Sequence, residues 1–281
     1  MRHPIVVGVD GSAAAAGALR WAVEEGRRRQ LPVTAVLVWS YLDQHDAAGG
    51  EGFDPTYGED DARAALHAFV VAAVGEGSEV RQEVVCDSPV PAIAELSEVA
   101  TMVVLGATGD GGFLGLRLGS TSDTVLHRSA APVVIVRGEG GAGPVIVGID
   151  DSPEAARVLR WGVEEARLRG RGLVAASAWL RPVLANWAFE EDAPYFATLA
   201  AHRAEALAAT VAEVDTSGVV VEQRVVAGSA AGALLALEQE LDASLLVVGA
   251  RGMPAAVGAL LGSVSRQVTH HATGPVLVVR P

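Results

Sequence analysis

The chain states one unit twice. Val7-Gly8-Val9-Asp10 returns as Val147-Gly148-Ile149-Asp150, Trp21 as Trp161, Trp39 as Trp179, Gly106 as Gly249 and Pro132 as Pro275; the offset grows from 140 residues at the first pair to 143 at the last two. Solenoid repeats run to only about 20–50 residues, so a period of this length makes each copy a whole domain. A chain of 281 residues that is 50% hydrophobic and 20% charged has material for two buried cores. The expected division is a domain over 1–138, a glycine-rich linker over 139–143 and a second domain over 144–281.

Inside each copy, β-branched runs alternate with amphipathic ones. The first copy predicts strands near 4–10, 33–39, 79–86, 102–106 and 132–137, with helices near 13–29, 59–74, 89–99 and 120–130. The second predicts strands near 144–150, 173–179, 219–226, 244–249 and 275–280, with helices near 153–169, 195–213, 230–241 and 263–272. This alternation predicts an α/β class: two tandem Rossmann-like domains, each a five-stranded, parallel, doubly wound sheet with helices on both faces. Ser12 and Ser152 stand where helix N-caps belong, and Trp21 and Trp161 fall on the apolar side of the first helix, so core packing is expected of both. Cys86, alone and inside an apolar strand run, reads as a core residue that can form no internal disulfide.

The chemistry concentrates in a glycine-spaced element that each copy carries once. Gly106-Ala107-Thr108-Gly109, nine residues and Gly119-Ser120 recur as Gly249-Ala250-Arg251-Gly252, nine residues and Gly262-Ser263. Each follows a predicted strand and precedes a predicted helix, the setting of a phosphate-binding loop. Asp10 and Asp150 end the first strand of their copies, where a carboxylate can accept hydrogen bonds from ribose hydroxyls. All 21 basic residues are arginine. A lysine-containing P-loop, a lysine Schiff base and a lysine general base are thereby excluded, and phosphate must be met by backbone N–H groups, hydroxyls, arginine or a metal ion.

A net charge of −13, with acids outnumbering arginines in both halves, argues against nucleic acid as a partner. Arg27-Arg28-Arg29 sits at a predicted helix end, where cations complement the dipole. The chain passes from Met1 straight into a strand, and no apolar stretch reaches membrane-spanning length, so a cytoplasmic protein without a membrane partner is expected.

With these residues in place the chain resembles a tandem universal stress protein. The Gly-Val-Asp-Gly-Ser and Gly-Ile-Asp-Asp-Ser starts, the paired glycine elements, and the ends Pro132-Val133-Val134-Ile135-Val136-Arg137 and Pro275-Val276-Leu277-Val278-Val279-Arg280 carry the resemblance over essentially the whole length. It implies the ATP-binding branch of that family, with one nucleotide per domain and Mg²⁺ on the phosphates. Carried over, Asp10 and Asp150 contact ribose, and Val38 and Ala178 pack near adenine. Gly106, Gly109, Gly119, Ser120, Thr121 and Ser122 wrap the phosphates in copy one; Gly249, Gly252, Gly262, Ser263, Val264 and Ser265 do so in copy two. The resemblance further implies an internal pseudo-dimer through 132–137 and 275–280, a homodimer of the whole chain and a protein partner that the residues do not identify. The expected function is regulatory, nucleotide acting as ligand or signal in a stress response. A slow ATPase and a nucleotide-free interaction module are the alternatives.

The copies are not equivalent. Asp110 puts a carboxylate inside the first glycine element, and Arg251 of the second has Thr108 as its counterpart, so the second site is expected to hold an anion better; the direction of Arg117 in the first is left open. His127 and His270 sit late in their helices, where a dipole partner is expected rather than a base, and adjacent His270 and His271 diverge around the helix instead of forming a metal pair. No catalytic residue is assigned. The stretches 41–61 and 180–195, after the second strand of each copy, differ most and are candidate lids or partner contacts.

Overall fold

In the computed structural model, residues 3–40, 56–108, 118–180, 193–251 and 261–281 are described. The chain divides into two compact units, with the boundary in sequence between Glu139 and Gly140.

The first unit contains β1 (Ile5–Val9), α1 (Ala13–Arg29), β2 (Val33–Trp39), α2 (Glu59–Val74), β3 (Arg81–Cys86), α3 (Pro89–Ser97), β4 (Met102–Gly106), α4 (Ser120–Arg128) and β5 (Val133–Val136). Its strands lie parallel in the order β3-β2-β1-β4-β5. The second unit repeats this with β6 (Val145–Gly148), α5 (Ala155–Arg169), β7 (Leu173–Trp179), α6 (Ala193–Ala212), β8 (Val221–Ala227), α7 (Ala230–Glu240), β9 (Leu245–Gly249), α8 (Ser263–His271) and β10 (Val276–Val279), ordered β8-β7-β6-β9-β10. Both orders run outward from the first strand and then restart on its other side, which opens a crevice between the C-terminal ends of β1 and β4, and of β6 and β9. Helices pack as pairs, α1 with α2 and α3 with α4 in one unit, α5 with α6 and α7 with α8 in the other.

Central strands are apolar on both faces because helices cover both: Val104, Val134, Val147 and Val247 have no exposed surface. Leu19 on α1 and Leu159 on α5 are equally buried, and truncating either to alanine would cost about 2–5 kcal/mol. Helix ends follow local chemistry. Ser12 is extended (φ −69°, ψ 156°) and its hydroxyl accepts from the Ala15 N–H at 3.1 Å, while α5 stops at Gly170 in the left-handed region (φ 61°).

Three expectations are corrected. Ser152 does not cap α5: a turn over Asp151–Glu154 delays the helix, whose N-cap is Glu154 and which begins only at Ala155. Cys86 is exposed, since β3 is the edge strand of its sheet and Cys86 is its last residue. Trp21 and Trp161 are half-buried, because the inward stripe of α1 runs through Ala15, Ala18, Leu19, Ala22, Glu25 and Gly26 and leaves Trp21 at its margin. The stripe contains an acid: Glu25 is wholly buried and accepts from Arg29 Nε at 2.6 Å, and Glu165 with Arg169 repeats the pair on α5. The glycines after Glu139 lie against the second unit, where Gly141 and Gly143 donate N–H bonds to the carbonyls of Ala243 (2.8 Å) and Asp242 (2.7 Å).

Candidate functional site

The second unit has a cavity of about 290 Å³ at the crevice between β6 and β9. Asp150, Ala178, Gly249, Gly262, Ser263, Val264 and Ser265, seven of the eight second-copy residues named from sequence, line it; the eighth, Gly252, lies outside the described residues.

Each wall has a local cause. Asp150 follows the last residues of β6, and its Oδ1 accepts from the Ser152 N–H at 3.1 Å, an Asx-type turn that fixes the carboxylate at the strand end. Gly249 closes β9. A Cβ there would come within 3.1 Å of both Val158 Cγ2 and the Arg251 carbonyl, so this glycine serves the approach of α5 to the strand as well as the opening of the cavity. Gly262 caps α8 with extended backbone (φ −73°, ψ 157°) and no side-chain cap, and helical geometry leaves the N–H groups of Ser263, Val264 and Ser265 without acceptors inside the helix. A helix start of this kind, with Arg251 lining the same cavity, is an anion-receiving surface.

The hydroxyls divide their labour. Ser265 is buried, and its Oγ donates to the carbonyl of Gly249, which ties the start of α8 to the end of β9. Ser263 is exposed at the first position of α8, with no such bond among the described residues. Of the two, Ser263 is therefore the one with a hydroxyl proton to offer a ligand.

Three wall residues were not named from sequence as lining the site. Asp151 stands where the first copy has Gly11, a glycine at φ 87°. Arg203, from α6, binds it with Nη1 to Oδ2 at 2.6 Å. The Ser152 hydroxyl is buried without a hydrogen-bond partner among the described residues. The Asp151-for-Gly11 exchange was readable in the paired starts; one arginine in a long helix carried no signal. An adjoining cavity of about 670 Å³ shares Asp151, Ala178, Arg203, Ser263 and Val264 and extends to Trp179 and His202.

The first unit assembles the same groups. Asp10 follows β1 and accepts from the Ser12 N–H at 3.1 Å; Val38 is buried near the end of β2; Gly106 ends β4. A Cβ on Gly106 would approach the Ala14 carbonyl carbon to 2.8 Å, so α1 crosses the strand end directly. Gly119 caps α4 and donates to the Ala107 carbonyl at 2.7 Å. Ser120 and Thr121 open the helix, and the buried Ser122 donates to the Gly106 carbonyl at 2.8 Å, as Ser265 does to Gly249. Gly109, Asp110 and Arg117 lie outside the described residues, as do 41–55 and 181–192 of the two candidate lid stretches. One difference is plain: Asp123 occupies the first turn of α4, where α8 has Arg266 and no acid.

The universal stress protein family model matches residues 1–137 and again 142–280. A universal stress protein of Mycolicibacterium smegmatis (strain ATCC 700084 / mc(2)155) is 35% identical over 297 residues, covering 99% of this chain and 97% of that protein. The crystal structure of a universal stress protein from Archaeoglobus fulgidus DSM 4304 superposes on 100% of this chain and 97% of its own, with a TM-score of 0.67 at 20% identity. That likeness establishes a shared α/β fold. A universal stress protein from Archaeoglobus fulgidus in complex with dAMP covers 49% of this chain and 97% of its own at 25% identity, with a TM-score of 0.33.

Proposed function

Since this chain belongs to the universal stress protein family and carries two of its domains in tandem, we propose that it is an adenine-nucleotide-binding regulatory protein of the stress response, with ATP as ligand and signal in each unit. The observation that carries the reading is the meeting of Asp150, the uncapped start of α8 and Arg251 around one cavity. Those groups match the parts of a nucleotide. Asp150 can accept ribose hydroxyls, the first-turn N–H groups and the Ser263 hydroxyl can donate to phosphate, and Ala178 leaves room for a flat base. The volume of about 290 Å³ sits at the lower edge of ligand pockets, which span about 300–1,000 Å³.

Among the described residues no three His, Cys, Asp or Glu side chains gather to hold a metal. The donors of the cavity suit an anion, so Mg²⁺ in this proposal is carried by the phosphate oxygens, whose charge it neutralises. The groups of the chain bind and orient, and no bond-breaking step is assigned to them. A nucleotide that binds one conformation better than another shifts their populations, which gives a protein partner something to read.

Mass spectrometry of small molecules released from freshly purified protein, joined to calorimetric titration with ATP in the presence and absence of Mg²⁺, tests the reading. An adenine nucleotide in the released fraction, with binding lost at the second site in Asp150→Ala, is the expected result. Protein that carries no adenine compound and gives no heat with ATP overturns it.

A further inference from the structure

The second unit has another cavity, of about 250 Å³, at the opposite end of its sheet, where the segments leading into β6, β9 and β10 meet. Gly140, Gly141, Glu238, Asp242, Thr273 and Gly274 line it. Glu238, on α7, is 4% exposed. Its Oε1 is fully engaged, accepting from the Thr273 N–H at 2.9 Å, the Thr273 hydroxyl at 3.2 Å and the Gly274 N–H at 2.7 Å. Its Oε2 is buried without a hydrogen-bond partner, and among the described residues no arginine or histidine pairs with it.

The first unit shows that this clamp needs no charge. Ser97 occupies the corresponding place on α3, equally buried, and its neutral hydroxyl accepts from the Ala130 N–H at 2.9 Å, the counterpart of the Thr273 bond. The second unit therefore buries a carboxyl group where a hydroxyl suffices. A second carboxylate borders the same space: Asp242, in the left-handed region (φ 49°), accepts from the Ala142 N–H through Oδ2 at 2.9 Å. Backbone carbonyls of Asp242 and Ala243 face the incoming glycines. A buried carboxylate oxygen with no donor calls for a positive charge, and carboxylates with carbonyls on loop segments form the oxygen-only donor set of a hard cation with flexible geometry.

We infer that this cavity binds a hard divalent cation of the Ca²⁺ type, held by Glu238 and Asp242, which fastens the chain entering the second unit to the loops before β9 and β10. The site is independent of the nucleotide cavity and uses none of its residues.

The experiment uses nucleotide-free, full-length protein titrated with CaCl₂, followed by calorimetry and by thermal unfolding. Wild type should bind Ca²⁺ with a midpoint rise of a few degrees at saturation, because an ion that binds only the folded state stabilises it. Glu238→Gln keeps an acceptor for Thr273 and Gly274, and Asp242→Asn tolerates the same backbone; both variants should fold and lose the Ca²⁺ response. Asp150→Ala should keep it. Wild type indifferent to Ca²⁺, a response unchanged in Glu238→Gln, or one abolished by Asp150→Ala overturns the inference.

Discussion

Arg203 reaches from α6 to Asp151 in the lining of the cavity proposed to hold nucleotide, Nη1 to Oδ2 at 2.6 Å. Both side chains retain solvent contact, 26% and 56% exposed. The pair places a cation beside the proposed phosphate path and occupies it with a carboxylate. An exposed ion pair is worth about 0.2–1 kcal/mol, so Asp151→Ala should release Arg203 and tighten ATP binding at the second site by up to about fivefold, while Arg203→Ala weakens it. Calorimetry at two salt concentrations checks both; the gain in Asp151→Ala should shrink at the higher one, because screening weakens the charge that was released.

The two units should bind unequally. Asp123 in the first turn of α4 faces the same helix end that Arg266 occupies in α8. A charge in the first turn interacts with the helix terminus and with whatever sits there by about 0.3–1 kcal/mol. ATP titration of wild type should resolve a tighter and a weaker event, with Asp150→Ala removing the tighter and Asp10→Ala the weaker. Asp123→Asn should strengthen the weaker event by about twofold to fivefold on the same scale. Equal affinities at the two sites contradict this account.

Much of this was legible in advance because the signals were local. Strand and helix periods, and the glycine spacing, placed every element of both units, with β2, β7, α1 and α2 ending at the expected residues. Seven of the second-copy residues named from sequence line one cavity for the same reason: each sits at the end of a strand or the start of a helix, and parallel topology brings those ends together. What stayed hidden depends on contacts distant in sequence. Arg203 meets Asp151 across 52 positions, and Glu238 meets Gly274 across 36. Cys86 was misread because an edge strand and an inner strand share one apolar pattern, and only the strand order separates them. Ser152 was misread because Pro153 follows it and the chain takes an extra turn before α5.

Ser263 and Ser265 offer a separation of binding from stability. Ser265 holds the start of α8 to Gly249, whereas Ser263 lines the cavity at an exposed position. Ser265→Ala leaves the half-buried Gly249 carbonyl without this donor, which costs about 1 kcal/mol, so its unfolding midpoint should fall. Ser263→Ala should unfold like wild type and bind ATP more weakly. Thermal unfolding beside calorimetry reads the two effects independently, and a stability loss in Ser263→Ala with none in Ser265→Ala would reverse the assignment.

The buried acids of the first helices are structural, and their removal should show it. Glu25 has no exposed surface and binds Arg29, itself 6% exposed, at 2.6 Å; Arg28 Nη1 stands 3.7 Å from the other carboxylate oxygen. Arg29→Met strips the nearer cation from a carboxylate that water cannot reach. Breaking a buried pair from one side costs about 3–5 kcal/mol, and the remaining Arg28 places this case at the lower end. Replacing both partners, as Glu25→Leu with Arg29→Met, removes the charge that needed compensation and should restore most of the loss. Urea unfolding measures both variants, and nucleotide affinity at a temperature where each stays folded should not change, since neither residue is among those placed at the proposed binding site.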